Sequence, residues 1–484
     1  MKSLRLYIGL IAIFFVFLLL VLPNLGARSL WLDEGVTLYN SLGSWVDVAH
    51  KTATLDLSPP FYYYLINIWR SLTGLDATHN QVMLRLPSVF FALSAMWFVF
   101  LIARKSFNKQ VGFLAVALLA INPFFVGFAQ EARMYMLLTA LVLGAYYFLL
   151  KIFKNENLKS SWVFFTIINV LGIYTHNFYW FCLAGLVATS LVFLPWVEKK
   201  YKLIIYALGS GLATLAVFSP WISSFFNQLK VDRYWIAPLH RSEVEYFLLD
   251  LAGGNKLAFY ICVILVLIGF AYVAFAIKKS ERIKEFRFNI MFLAVFCVFG
   301  FVIPLAYSVL VSPLLKVRYL LFLPPFLSIL AAIGAYSFKK VNKLFMYIPL
   351  VVLLLLWNPW QVTKYPAEMH EDFAQAQSFI SKESPNAPVV IHTPSAAHVY
   401  SFYQGSYKNL LPFPNSYDLR DYNFDEFAHD EYIKNLAGQN DFWLLITHSH
   451  ENPQGLLRRW SEEICPQAEE KRLGPIFLAH YECR

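Results

Sequence analysis

Charged residues are scarce in this chain. Asp, Glu, Lys and Arg make up 15% of its 484 residues, where soluble proteins carry roughly 25%. Together with 58% hydrophobic residues and a mean hydropathy of +0.51, that deficit excludes a water-soluble protein of this length. Acidic charge is the scarcer sign, which leaves a net charge of +9. A basic balance can signal nucleic-acid binding. Here Lys and Arg fall between apolar runs, which is the pattern of membrane topology, and no nucleic-acid partner is expected. Cysteine is sparse as well: Cys182, Cys262 and Cys297 lie inside apolar runs, Cys465 and Cys483 in a polar tail, and no spacing resembles a zinc site. A Gly-rich phosphate loop is missing, which argues against a nucleotide-sugar substrate. No internal repeat is visible, which argues against a transporter built from related halves.

What the sequence does have is long apolar runs. Stretches near the 17–25 residues that span a bilayer occur at about 6–22, 84–103, 111–127, 134–150, 161–177, 178–196, 203–220, 257–277, 289–311, 319–337 and 344–360. The expected fold class is therefore a polytopic α-helical membrane protein with about eleven transmembrane helices. The first run follows Met1-Lys2-Ser3-Leu4-Arg5, lacks a clear cleavage site and reads as a retained signal-anchor. Every second loop is short and basic: Arg104, Lys105 and Lys109; Lys151, Lys154 and Lys159; Lys199, Lys200 and Lys202; Lys278, Lys279, Arg282, Lys284 and Arg287; Lys339, Lys340 and Lys343. The positive-inside rule places these loops in the cytoplasm and the alternate loops outside. The expected location is the cytoplasmic (inner) membrane, multi-pass, with the lipid bilayer as a partner. Two outer segments are long, 23–83 and 221–255. The first includes an aromatic stretch from Phe61 to Trp69 suited to an interfacial helix.

Residues 1–360 thus form a membrane module, and 361–484 have the composition of a soluble domain. In the tail, Pro388–Ile391 and Phe442–Ile446 read as buried strands, and Ala367–Ser381 and Phe424–Ala437 as helices, so a C-terminal α/β domain is expected. An odd number of spans puts it outside. That compartment permits disulfides, and Cys465 and Cys483 are expected to pair. His392 and His448, each just past a strand, with His398 and His450 nearby, read as scattered histidines rather than a site.

The ionisable motifs gather at the outer helix ends. Trp31-Leu32-Asp33-Glu34-Gly35 sets two adjacent carboxylates just past a membrane helix, an expensive placement unless they are used or solvated. Gln130-Glu131-Ala132-Arg133-Met134-Tyr135 and Lys316-Val317-Arg318-Tyr319 place Arg133, Arg318 and Lys316 where the positive-inside rule disfavours them. Binding a phosphate gives a reason, because guanidinium donors match phosphate oxygens. His176, in Tyr174-Thr175-His176-Asn177, is a candidate acid/base or metal ligand. Asp56, in Asp56-Leu57-Ser58-Pro59-Pro60-Phe61-Tyr62, is a candidate to share a divalent cation with Asp33.

These motifs, together with Arg85-Leu86-Pro87-Ser88 and Arg318-Tyr319-Leu320, occur in an order that resembles the GT-C glycosyltransferases related to protein O-mannosyltransferases and the lipid A aminoarabinose transferase. The resemblance covers the chain to about residue 340. It implies transfer of a sugar from a polyprenyl-phosphate-linked donor to an envelope acceptor (a glycolipid, polysaccharide or protein). Asp33 would be the catalytic carboxylate and Glu34 its neighbour in the same site. One departure concerns the proline-containing segment, where aminoarabinose transferases carry a glutamate implicated in metal binding. Here Ser58 stands there, with Asp56 nearby, which leaves metal dependence open. The leaving phosphate would be met by Arg133, Arg318 and Lys316, and one base acting in line would invert the anomeric centre. The alternative is a secondary transporter or polyprenyl-lipid carrier.

Overall fold

The computed structural model describes residues 2–483 apart from 55, 57, 76–78, 199, 230–235, 237, 276–280, 359–370, 415–425, 448–452 and 466. Lys199, Lys278, Lys279, His448 and His450 therefore lie outside the described residues. The chain is a helical membrane protein carrying a small C-terminal sheet domain. Eight helices among the described residues are long and apolar enough to cross a bilayer, within 7–24, 81–106, 135–153, 158–175, 179–196, 200–229, 256–274 and 284–310.

Eleven spans were expected, and the three remaining runs hold helices shorter than a bilayer span. Helix Lys109–Ala120 stops before Asn122-Pro123, where the Asn122 side chain accepts from the Phe125 amide and caps a second helix, Pro123–Phe128. The other two also begin at prolines: Leu323–Ser337 has Pro324 and Pro325 in its first turn, and Ile348–Trp357 has Pro349. Proline lacks a backbone donor, which costs nothing in the first turn, where the amides have no partner within the helix, so these positions suit a helix start. The expected hairpin of the fifth and sixth spans is present as Leu158–Thr175 and Tyr179–Phe193. The aromatic stretch of the first outer loop is the helix Phe61–Thr73.

Apolar side chains gain little by leaving lipid for one another, so helix contacts here depend on close backbone approach. Helices Lys256–Ala274 and Leu323–Ser337 meet at Gly269 and Gly334, and a Cβ on Gly334 would lie 1.9 Å from the Leu265 carbonyl oxygen. Two of the long helices carry an arginine toward one end and a lysine toward the other. Arg85 is near the start of helix Gln81–Ser106 and Lys105 near its finish. Arg133 precedes Tyr135–Phe153 and Lys154 follows it. The basic loops meet at one end of the bundle through Lys105–Glu156, Lys154–Glu285 at 2.6 Å, and Lys339 Nζ donating to Gln110 at 2.7 Å. The acidic and arginine motifs share the other end.

The tail folds as a five-stranded sheet: β1 (Val389–His392), β2 (Leu410–Pro412), β3 (Asp441–Ile446), β4 (Gln467–Leu473) and β5 (Ile476–Glu482). The strand order is β2-β1-β3-β5-β4. β1 runs parallel to β2 and β3, whereas β5 and β4 add antiparallel. The sheet is thus mixed, not all parallel. Alternation along the strands divides its two faces. Val389, Ile391, Trp443 and Leu445 join the large core shared with the membrane module, while Val390, Phe442, Leu444 and Ile446 pack a separate core with Tyr432 and Leu457. Cys465 and Cys483 are bonded, with Cα atoms 4.6 Å apart, and tie the last strand to helix Pro453–Ile464.

Candidate active site

The Trp31–Gly35 motif opens a short helix, Leu32–Asn40, and its two carboxylates have opposite surroundings. Asp33 is partly open. Its Oδ2 lies 3.2 Å from Arg318 Nη1 and 3.9 Å from Arg133 Nε. Arg133 is also held by the backbone, with Nη1 donating to the Asp33 carbonyl at 3.0 Å and to Thr37 Oγ1 at 3.3 Å. Arg318 lies among rings, its guanidinium carbon 5.9 Å from the centre of Trp31 and 5.7 Å from those of Tyr135 and Tyr319. Aromatic faces attract such a cation and help keep it in a partly dry site.

Glu34 is fully enclosed. Arg85 grips it with both branches, Nε to Oε1 at 2.8 Å and Nη2 to Oε2 at 2.7 Å, and the Ala132 amide donates to Oε1 at 2.8 Å. The remaining Arg85 donors reach the carbonyls of Leu25, Arg28 and Ser29 at 2.7, 2.9 and 3.0 Å. Glu34 therefore locks the first outer loop to helix Gln81–Ser106 and to the Gln130–Arg133 segment. It was expected beside Asp33 as a catalytic group. Every oxygen it has is committed, so we assign it a positioning role.

The other candidate residues are spread around this pair. Lys316 is half-buried at the start of the turn Val317–Leu320, two residues before Arg318. His176 is buried at the end of helix Leu158–Thr175, 5.0 Å from the Tyr319 ring and 6.1 Å from Tyr135, centre to centre. Burial, with Arg133 and Arg318 close by, pushes its pKa down to about 3. Its Nδ1 accepts from the Phe178 amide at 2.9 Å, so the imidazole is neutral with its proton on Nε2. With Nδ1 occupied, the ring presents Nε2–H as a hydrogen-bond donor. Asp56 is bound elsewhere: Oδ2 takes the Asn40 amide at 2.9 Å and the Tyr63 hydroxyl.

Divalent cations need several oxygen or nitrogen ligands converging on one point. Among the described residues no group of three or more His, Cys, Asp or Glu side chains converges in that way. With Asp33 facing two arginines and Asp56 engaged by Asn40 and Tyr63, the described residues do not fit a metal here.

Glu131 gained no separate role from the sequence. Burial, then the nearby Glu34 charge, pushes its carboxyl up to about 8 from an ordinary 4.5. Asp33 adds to the rise, while Arg318 and Arg85 oppose it. Between these values the native protein holds a proton that the unfolded chain has lost. Stability should then fall as pH rises from about 5 to about 8, by at most ~1.4 kcal/mol per pH unit from this group. Thermal-unfolding midpoints measured across that range should decline less steeply in Glu131→Gln than in the wild type. Parallel profiles would remove Glu131 as the cause.

A sequence profile of the dolichyl-phosphate-mannose-protein mannosyltransferase family matches residues 58–223. The search of curated proteins finds no significant match. Among solved structures, ArnT from Cupriavidus metallidurans bound to undecaprenyl phosphate aligns with a TM-score of 0.64 at 14% identity, covering 97% of each chain. The Archaeoglobus fulgidus oligosaccharyltransferase aligns with a TM-score of 0.57 at 13% identity, over 94% of this chain and 71% of that one. The same archaeal enzyme, in complex with an inhibitory peptide and a dolichol-phosphate, aligns with a TM-score of 0.52. The chain shares the fold of these membrane-embedded transferases. Residues 58–223, about a third of the chain, are similar in sequence to the dolichyl-phosphate-mannose-protein mannosyltransferase family.

Proposed function

We propose that this enzyme transfers a sugar from a polyprenyl-phosphate-linked donor to a hydroxyl of an envelope acceptor on the non-cytoplasmic face, with inversion. The observation that carries the reading is the convergence of Arg133 and Arg318 on Asp33. Two guanidiniums and one carboxylate are what the reaction needs. The acceptor oxygen attacks the anomeric carbon and gives its proton to Asp33. The bond to the phosphate oxygen breaks, and its electron pair leaves with the phosphate, whose growing charge the arginines meet. An arriving phosphate also competes with Asp33 for those guanidiniums, which leaves the carboxylate lone pairs to the acceptor. Asp56 steadies the first outer loop through Asn40 and Tyr63.

Three further observations support the reading. Related folds have been seen with undecaprenyl phosphate and with a dolichol-phosphate. An apolar cavity of about 320 Å³, lined among others by Leu119, Phe259, Val266, Leu327 and Trp357, offers apolar volume for part of a polyprenyl chain. The basic loops gather at the opposite end, and the tail holds a disulfide, both in keeping with a site outside the cytoplasm.

The direct test is to supply the purified protein in lipid nanodiscs with polyprenyl-phosphate sugars, in water and with envelope glycolipids. Release or transfer of the sugar supports the proposal, and inertness toward all of them would remove it. Arg318→Lys keeps the charge but loses the planar fork. We expect the KM for the donor to rise about tenfold, equivalent to ~1.4 kcal/mol, with unchanged thermal stability. Unaltered donor use in Arg318→Ala would take this residue out of the phosphate site.

A further inference from the structure

The helix that carries Asp33 begins badly. Its N-cap position is Trp31, whose indole can only donate a hydrogen bond, so it cannot satisfy the free amides of the first turn. Helices normally solve this with an adjacent Ser, Thr, Asp or Asn. Here the acceptors come from the other end of the chain. Glu371, in the tail and 3% exposed, accepts from the Leu32 amide through Oε2 at 3.0 Å. Its Oε1 is held by the Thr447 hydroxyl, just past β3. Two residues earlier, the Leu30 amide donates to the Tyr403 hydroxyl at 2.7 Å, and that hydroxyl is itself bonded to Gln81. The Ala374 amide donates to Ser29 Oγ at 3.2 Å.

The two parts also fit by shape. Tail helix Ala396–Gln404 lies against Leu32–Asn40 so closely that a Cβ on Gly35 would come within 2.3 Å of Val399 Cγ2 and 3.2 Å of the Val399 backbone nitrogen. That contact accounts for the glycine that ends the Trp-Leu-Asp-Glu-Gly motif. Farther along, the Tyr39 and His398 rings stack with centroids 4.0 Å apart and planes 11° from parallel.

We propose that the C-terminal domain completes the active site: Glu371 acts as a helix cap supplied from outside the helix, and with Tyr403 it holds Asp33 in register with Arg133 and Arg318. A carboxylate at a helix N-terminus is favoured by both the unsatisfied amides and the helix dipole. Glu371 touches no reacting atom in this scheme and is a positioning residue. The proposal rests on the transferase reading only for its kinetic half, because the capping itself can be observed without turnover.

The experiment uses the full-length protein and reads hydrogen exchange over residues 30–35 alongside kcat and KM for a polyprenyl-phosphate sugar. Loss of a helix cap should speed exchange of these amides about tenfold in Glu371→Ala. Its kcat should fall about tenfold or more while donor KM stays within about twofold, and Glu371→Gln, which keeps an acceptor oxygen, should recover most of the rate. Tyr403→Phe deletes only a hydroxyl and serves where Glu371→Ala does not fold. It should accelerate exchange at residue 30 and lower kcat severalfold. Unchanged exchange in the folded variants overturns the proposal, and so does faster exchange with an unchanged kcat. Wild-type protein that turns over no such donor, yet shows the exchange response, would instead count against the transferase reading and leave the capping role standing.

Discussion

Asp33→Asn should reduce turnover by about 10²–10⁴-fold, the usual cost of losing a general base, while leaving the protein folded and in the membrane. The amide has the size and shape of the carboxylate, and its oxygen can still accept a hydrogen bond from Arg318, now 3.2 Å from Oδ2. It cannot take the proton of the acceptor hydroxyl. The second half of the expectation is a change in the opposite sense. In the free enzyme Asp33 and the donor phosphate are rivals for Arg133 and Arg318. Removing the negative charge removes the rival, so donor KM should fall even as kcat collapses. That split separates the proposed base from a residue that merely holds the site together, whose loss would raise KM or lower stability. Steady-state kinetics with a polyprenyl-phosphate sugar, with a melting curve on the same preparation, checks both halves. Wild-type kcat at saturating donor would mean that another group accepts the proton.

The sequence was informative where a residue breaks a rule that its own neighbourhood sets. Asp33, Arg133 and Arg318 are legible because charge at an outer helix end is costly and, for arginine, on the disfavoured side. The spans were legible from apolar runs, with errors confined to places where proline starts a new helix, as at Asn122-Pro123. Partners far apart in sequence left no such mark. Arg85 lies 51 residues from Glu34, in the first turns of an apolar helix, and nothing local says that it will be buried against a carboxylate. Glu371 lies 339 residues from Leu32 in an ordinary polar stretch, and its value as a cap exists only once the tail is docked. Gly35 is an intermediate case. The residue is visible, but its reason, the backbone of a distant helix at Val399, is not. His392 looked like a surface histidine past a strand; it is the buried last residue of β1, with Nδ1 3.0 Å from the Phe413 carbonyl oxygen.

The pair Glu34 and Arg85 should have the largest effect on stability. Arg85→Ala leaves a carboxylate with no exposed surface and removes both charge-assisted bonds to it, at 2.8 and 2.7 Å. It also removes the guanidinium's bonds to the carbonyls of Leu25, Arg28 and Ser29. Breaking a buried ion pair from one side costs about 3–5 kcal/mol, a large part of the 5–15 kcal/mol that holds a typical domain together. We expect Arg85→Ala to accumulate poorly and to melt well below the wild type. Glu34→Gln should be milder, because the amide oxygen can still accept from the Ala132 amide, now 2.8 Å away. The informative comparison is the double replacement Glu34→Leu with Arg85→Met. Two apolar side chains of similar length avoid the desolvation cost of both ions, so much of the lost stability should return. Activity should not return with it, because the loop that presents Asp33 would no longer be tied to both helix Gln81–Ser106 and the segment that places Arg133. A double variant that is stable but slow would show that this buried pair is kept for geometry. Arg85→Ala with a wild-type melting temperature would show that water or another cation satisfies Glu34, and the argument for the lock would fail.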